Sequence, residues 1–353
     1  MKKIKLYNTH CCGEIGDVIV SGKINLKGNS ILEQSKYLFD DKKLRKFLLN
    51  EPRGGVFKHY NLLVPPKNEK AKAAFIIMEP EDNPPMSGSN SICVATVLLE
   101  KGIIDIKEPT TEFLLEAPGG IIPIKAFVEN KKVTFVEIHN LPSFVDKVDV
   151  KLQTSSFGEI IVSTVFGGDS FVICNAQDFD LSIKPENAKK FVEISKEILK
   201  EANYHLGFQH PNLPDLNYIS FCQFIEPIKI NNLRQKEGLN TVCIRPGKLD
   251  RSPCGTGTSA RLALMHEKNE IHINEKFISR SIIGSTFESY IAKEYTEENK
   301  KMIIPSIKGS AFITGEQEMY ISDDDPFPEG YQLNDTWPTN CLLYTSPSPR
   351  DAT

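Results

Sequence analysis

The chain has 353 residues, room for two domains of ordinary size with a well-buried core. Its 42 basic and 46 acidic residues leave a formal net charge of −4, which gives no footprint for nucleic acid or an anionic membrane surface. No apolar run approaches the ~20 residues of a membrane span, and the basic start Met1-Lys-Lys-Ile-Lys5 lacks the apolar centre of a signal peptide, so a cytoplasmic protein is expected.

Taken in order, residues 4–8 and 15–24 run or alternate apolar and predict strands. Residues 37–49 predict an amphipathic helix with Leu38, Leu44, Phe47 and Leu48 on its apolar side. Glu51-Pro-Arg-Gly-Gly55 reads as a structural turn. Strands are expected at 57–64 and 73–78, the second leading through Asp82-Asn-Pro-Pro85 to Ser87. From Ile92 to Leu99 the chain is apolar nearly all round, which suits a helix buried on every side and ended by Gly102. Further strands follow at 111–116, 121–129, 132–140, 159–165 and 171–175. A helix is expected over 185–199, with Pro185 in its first turn. His210-Pro211 is read as loop structure rather than a ligand site. Strands at 218–224 and 241–245 lead through Pro246-Gly247 to Asp250 and Cys254, and a helix is expected over 256–268. Strands at 277–283, 289–294, 301–306 and 310–314 complete the set. Eight cysteines in a chain this long do not make a disulfide scaffold, and the adjacent Cys11 and Cys12 are poor joint ligands. Neither Cys-x-x-Cys nor His-Glu-x-x-His occurs, so no metal site is expected.

Two stretches carry chemistry. In Asp250-Arg-Ser-Pro-Cys-Gly-Thr-Gly257, Ser252 can cap a helix and Cys254 falls at its N-terminus. Gly255, Thr256 and Gly257 leave the first-turn N–H groups bare, which makes a cradle for a carboxylate. The same field favours the thiolate, and thiols so placed have pKa values of roughly 3.5–7.5. The alternative is a Gly-rich turn holding an inert, buried cysteine. No Gly-Lys-Ser/Thr follows, so the stretch is not a phosphate-binding P-loop. Upstream, Pro85-Met-Ser-Gly-Ser-Asn90 repeats the pattern, with Ser87-Gly88-Ser89 in the place of Cys254-Gly255-Thr256. The two lie about half a chain length apart, which suggests a duplicated domain with two helix starts facing one cleft.

With these residues in view, the chain resembles the proline racemase family. The likeness rests on Asp250-Arg-Ser-Pro-Cys-Gly-Thr-Gly-Thr-Ser-Ala260, Pro84-Pro-Met-Ser-Gly-Ser-Asn-Ser-Ile-Cys93, Asn50-Glu-Pro-Arg-Gly-Gly55 and Ile313-Thr-Gly315. It implies an α/β (α+β) fold of two pseudo-symmetric domains, each a curved sheet or barrel around a central helix, as in diaminopimelate epimerase, with a cleft between them. The expected halves are 1–155, with 311–338 crossing back, and 156–310. It also implies a homodimer. Ser87 departs from the racemase pattern, where that position is a cysteine usually followed by Gly-His. This resembles the subgroup of trans-3-hydroxy-L-proline dehydratases. Cys341-Leu-Leu-Tyr-Thr-Ser-Pro-Ser-Pro-Arg-Asp351 resembles the translation of a transposase-type sequencing adaptor, so 341–353 are expected to be a non-native, disordered tail.

Ser87 and Cys254 are the expected catalytic pair. Gly88, Ser89, Gly255 and Thr256 would hold the substrate carboxylate through backbone N–H groups, and Asp250, by family resemblance, the ring ammonium. Such a site stabilises a carbanion electrostatically and asks for no cofactor. A serine hydroxyl holds its proton far more tightly than a thiol, so the pair is unmatched and one strong base remains. Racemisation needs two comparable groups. Expulsion of a hydroxyl from the β-carbon needs one base and a donor. The expected reaction is therefore dehydration of trans-3-hydroxy-L-proline to a pyrroline carboxylate. The competing readings are a 4-hydroxyproline 2-epimerase and a non-catalytic binder of imino acids.

Overall fold

A computed structural model describes the whole chain except residues 1–2, 22–23, 213–215, 298–299, 321, 323 and 338–353. The adaptor-like tail lies outside the described residues. The strands, in order, are β1 Lys3–Cys11, β2 Glu14–Ile15, β3 Asp17–Ser21, β4 Tyr60–Val64, β5 Ala73–Met78, β6 Thr110–Ala117, β7 Gly120–Glu129, β8 Lys132–His139, β9 Phe144–Thr154 and β10 Gly158–Phe166. They continue with β11 Ser170–Asn175, β12 Phe221–Ile225, β13 Lys229–Ile230, β14 Lys236–Ile244, β15 Lys248–Leu249, β16 Phe277–Arg280, β17 Thr286–Glu297, β18 Lys300–Gly309 and β19 Ala311–Tyr320. The α-helices are α1 Ile31–Asp41, α2 Lys43–Leu49, α3 Gly88–Glu100, α4 Ala188–His205 and α5 Gly255–Glu267.

The fold is mixed α/β and mostly sheet, curved and unclosed. The last strand, β19, runs antiparallel to β1 along its whole length, so residues 311–320 return to the start of the chain. β18 links the run of strands that ends at β8 to the later strands, pairing with β17 on one side and β8 on the other. Two helices sit inside this curvature. Gly88 to Leu99 of α3 are all buried, and the helix packs against β1, β8 and β19. Gly255 to Met265 of α5 are likewise buried, against β9, β10 and β18. Over these residues neither helix turns a face to solvent, because each is surrounded by sheet. Ile92, Val94, Val97 and Leu98 are fully buried, and burial of each such side chain stabilises by about 1.5–3 kcal/mol. Among the described residues no helix is long and apolar enough to cross a membrane.

Three expectations are corrected. The helix expected over 37–49 is two helices. It begins earlier, where Ser30 caps α1 by accepting from the Glu33 N–H, and it breaks at Lys42, whose φ is 57°. An 11-residue strand, β9, was not expected at all. The helix expected from Pro185 starts with a short 3₁₀ turn at Pro185–Asn187 and runs on to His205. Two structural readings hold. Arg53 donates to the carbonyls of Phe47, Phe327 and Pro328 and pairs with Asp325, which fastens the C-terminal segment. His210 packs edge-on against Phe144 and Phe166, and its Nδ1 accepts from the Asn212 N–H.

Candidate active site

The starts of α3 and α5 meet. A Cβ built on Gly88 would lie 2.9 Å from the Gly255 Cα, and one built on Gly255 2.8 Å from the Gly88 Cα. Only glycine lets two backbones approach this closely. Ser87, Ser89, Cys254, Thr256 and Asp250 line one cavity of about 30 Å³ between the helix starts. The structure thus brings together Ser87, Gly88, Ser89, Asp250, Cys254, Gly255 and Thr256, every residue singled out from sequence. The N–H groups of Gly88, Ser89, Gly255 and Thr256 have no protein acceptor among the described residues. They are first-turn donors, where a helix binds an anion.

Ser87 caps α3. Its Oγ accepts from the Asn90 side-chain amide at 2.9 Å and lies 3.4 Å from the Ser89 Oγ. Asn90 is itself held by Asn61 of β4, whose amide donates to the Asn90 Oδ1 at 2.8 Å. An oxygen that accepts from Asn90 turns its own hydrogen elsewhere, so Ser87 is set up to give a proton. Asn90→Ala should therefore lower kcat about tenfold with little change in KM, because it loosens the donor and not the carboxylate cradle. Steady-state kinetics on the substrate would show this.

Cys254 is the cap of α5 itself, and Ser252 does not take that role. The Ser252 Oγ instead accepts from the Cys254 N–H at 3.0 Å. Cys254 has φ 61° and ψ 109°, a conformation that side-chain-bearing residues avoid and that clusters at functional sites. The turn is held from outside. Asn240 donates to the Pro253 carbonyl, and Asp250 Oδ1 accepts from the Ser252 N–H. The Cys254 Sγ accepts from the Gly257 N–H at 3.3 Å and lies 3.5 Å from the Thr256 Oγ1. These contacts favour the thiolate, as expected from sequence. The outcome is nonetheless reversed: burial, and then the charge of Asp250, push the thiol well above its usual value.

Sequence reasoning missed four ionisable residues at or behind this cavity. Glu14, His59 and Glu79 line it, and Lys248 pairs with Glu14 behind it. Glu14 also accepts from the Arg251 N–H at 2.7 Å, which ties β2 to the loop before Cys254. His59 lies between two carboxylates, with Nε2 3.6 Å from Glu14 and Nδ1 3.6 Å from Glu79. Burial and then Lys248 push His59 down to about 3, so the imidazole is neutral. Burial and then Asp82 push Glu79 up to about 8, so it holds its proton at neutral pH. Burial and then Glu14 raise Asp250 to about 7. The only sequence signal was charge inside apolar surroundings, as with Glu79 directly after Ala73–Met78. The two turns are also bridged. Asp82, from the turn before Ser87, pairs with Arg245, from the turn before Asp250.

Two buried helix starts that meet at their glycines, one bearing a hydroxyl and the other a thiol, make a site for a small anion held between two proton-carrying groups. Such an arrangement can move a proton at the carbon next to a bound carboxylate. The chain belongs to the proline racemase family: the family model of that description matches residues 6–332. Among solved structures it is similar to a hydroxyproline epimerase from Agrobacterium vitis with bound trans-4-OH-L-proline. That pair is 35% identical over 96% of this chain and 98% of that one, with a TM-score of 0.88. It is also similar to a probable proline racemase from Agrobacterium radiobacter K84 with bound carbonate, 36% identical over 95% and 98% of the two chains, TM-score 0.88. A PhzF-family phenazine biosynthesis protein from Bacillus anthracis shares the fold, at 16% identity over 91% and 100% of the chains and a TM-score of 0.56.

Proposed function

We propose that this protein moves the α-hydrogen of a hydroxyproline between Ser87 and Cys254, epimerising 4-hydroxyproline at C2. The observation that carries the reading is the shared cavity in which Ser87 and Cys254 face each other across touching helix starts. The 35% identical epimerase with bound trans-4-OH-L-proline supports the substrate class. In this reading the halves, residues 1–155 with 311–338 and residues 156–310, hold the carboxylate on the first-turn N–H groups of both helices. Those donors also take the charge that develops on the carboxylate oxygens as the carbanion forms, in a site with little water. Asp250 pairs with the ring ammonium. Cys254 accepts the proton from one face and Ser87 supplies one from the other.

A second reading is dehydration of trans-3-hydroxy-L-proline, and the state of Ser87 favours it. A hydroxyl that accepts from Asn90 is a good donor and a poor base, which fits a reaction with one base better than a reversible exchange. On such a substrate the electron pair left by the α-hydrogen forms the C2–C3 double bond, and the hydroxyl leaves as water after gaining a proton.

One assay in D₂O with both substrates separates these readings. Deuterium incorporation at C2 of 4-hydroxyproline with inversion is the expected result. An inert 4-hydroxyproline alongside conversion of 3-hydroxyproline to pyrroline carboxylate transfers the assignment to the second reading. Binding without exchange on either substrate removes both and leaves a binder.

A further inference from the structure

Glu79 is the anomaly of the cavity. The residue is 7% exposed, it lines the same space as Ser87 and Cys254, and among the described residues its carboxyl makes no hydrogen bond. The His59 Nδ1 lies 3.6 Å from it, beyond hydrogen-bond reach. His59 is 2% exposed, and neither of its ring nitrogens has a hydrogen-bond partner. Buried polar groups are nearly always paired, so an unpaired imidazole beside a carboxyl that opens onto a cavity without a hydrogen bond points to a ligand that completes them.

The backbone around Glu79 is, by contrast, held tightly. Arg45 of α2 donates to the carbonyls of Glu79, at 2.8 Å, and of Asp82, at 3.0 Å. The Glu79 N–H donates to the Asp82 carbonyl at 2.8 Å. The carboxyl is thus delivered to the cavity by a fixed turn, and its lack of partners is not the result of a loose loop.

The other polar parts of a hydroxyproline already have partners in the proposed reading. The helix starts take the carboxylate, Asp250 takes the ammonium, and Ser87 and Cys254 take the two faces of C2. What remains is the ring hydroxyl. We infer that Glu79, backed by His59, takes the ring hydroxyl of the substrate and sets the preference for hydroxyproline over proline. This rests on the proposed function and assigns a residue to the part of the substrate which that reading leaves unmatched. A protonated carboxyl offers one donor and one acceptor, and a hydroxyl needs both. Raised well above the ordinary carboxylate range, Glu79 has that proton at neutral pH. Where the hydroxyl sits on C3, the same contact supplies the proton the leaving group needs. The carboxyl O–H bond breaks as the C3–O bond breaks, water departs, and the carboxylate is reprotonated by the hydrogen released from C2.

The test compares Glu79→Leu with the wild type in D₂O, by the ratio of exchange rates at C2 for 4-hydroxyproline and for proline. The expected result is a fall in that ratio of at least about tenfold, since a site built to bond a hydroxyl discriminates through it. Glu79→Asp, which withdraws the carboxyl by one methylene, should lower the same ratio and serves if the leucine variant does not fold. A ratio within twofold of wild type, in either folded variant, overturns the inference while leaving the proposed function intact. A wild type that exchanges neither compound removes the proposed function and this inference with it.

Discussion

Cys254→Ala is expected to abolish inversion, and with it exchange of the epimer whose α-hydrogen faces the thiol, by at least about 10³-fold, while Ser87→Ala should leave exchange running on that epimer only. The asymmetry follows from the two groups. Cys254 is the one side chain in the cavity that can become a strong base without a partner to activate it, and general-base catalysis contributes roughly 10²–10⁴-fold. Without it the epimer whose hydrogen faces Cys254 keeps that hydrogen, and inversion stops in both directions because no group works on that face. Without Ser87, the epimer whose hydrogen faces Cys254 still gives up that hydrogen, and the thiol returns a deuteron to the same face. Deuterium then enters with no inversion. The pH profile adds a check. Burial and the charge of Asp250 hold the Cys254 thiol above its usual value, so the thiolate is scarce at neutral pH in the free protein. A base with a raised pKa is lost as pH falls, so kcat/KM should climb as pH rises from 7 toward 9 and beyond. A profile flat above pH 6 would count against Cys254 as the base. Equal loss of exchange on both epimers in Ser87→Ala would count against a donor role for Ser87.

The parts of this site that were legible in the sequence are the local ones. A proline, two or three small residues and an apolar run are enough to mark a helix start, and both starts follow that pattern at Ser87 and Cys254. That they face each other followed from the repeat at half the chain length. The direction of the thiol shift was not legible. The helix field is written in the motif, whereas the burial and the Asp250 charge that outweigh it belong to the packed molecule. Glu14, His59 and Glu79 were not legible because they come from separate places in the first half, brought together by strand pairing. The chain enters β4 just after His59 and leaves β5 just before Glu79, and those two strands are paired antiparallel. β9 escaped notice for a different reason. Asp149 has φ 46°, and the register against β10 slips beside it, which breaks the two-residue alternation by which a strand is recognised. The break at Lys42 had no glycine or proline to announce it.

Gly255→Ala and Gly88→Ala should each lower kcat/KM about 100-fold while leaving the protein folded. At both positions the added methyl meets backbone, the Cα of the opposite glycine, at 2.8 or 2.9 Å. A backbone atom cannot rotate away as the end of a side chain can, so the two helices must part by something on the order of 1 Å. Overpacking of this kind costs about 1–3 kcal/mol, which a core of this size tolerates. The loss in rate is larger because a misplacement of about 1 Å in reacting groups can cost about 100-fold. The first-turn N–H groups of both helices must converge on one carboxylate, and Ser87 and Cys254 must reach opposite faces of one carbon. Parting the helix starts spoils both at once. The check is a thermal melt beside a rate measurement, with the melt shifted by a few degrees and the rate by about two decades. Rates near wild type in both variants would mean that the touching glycines are not the working arrangement, and that substrate is held with the two helices farther apart than they stand in this structure.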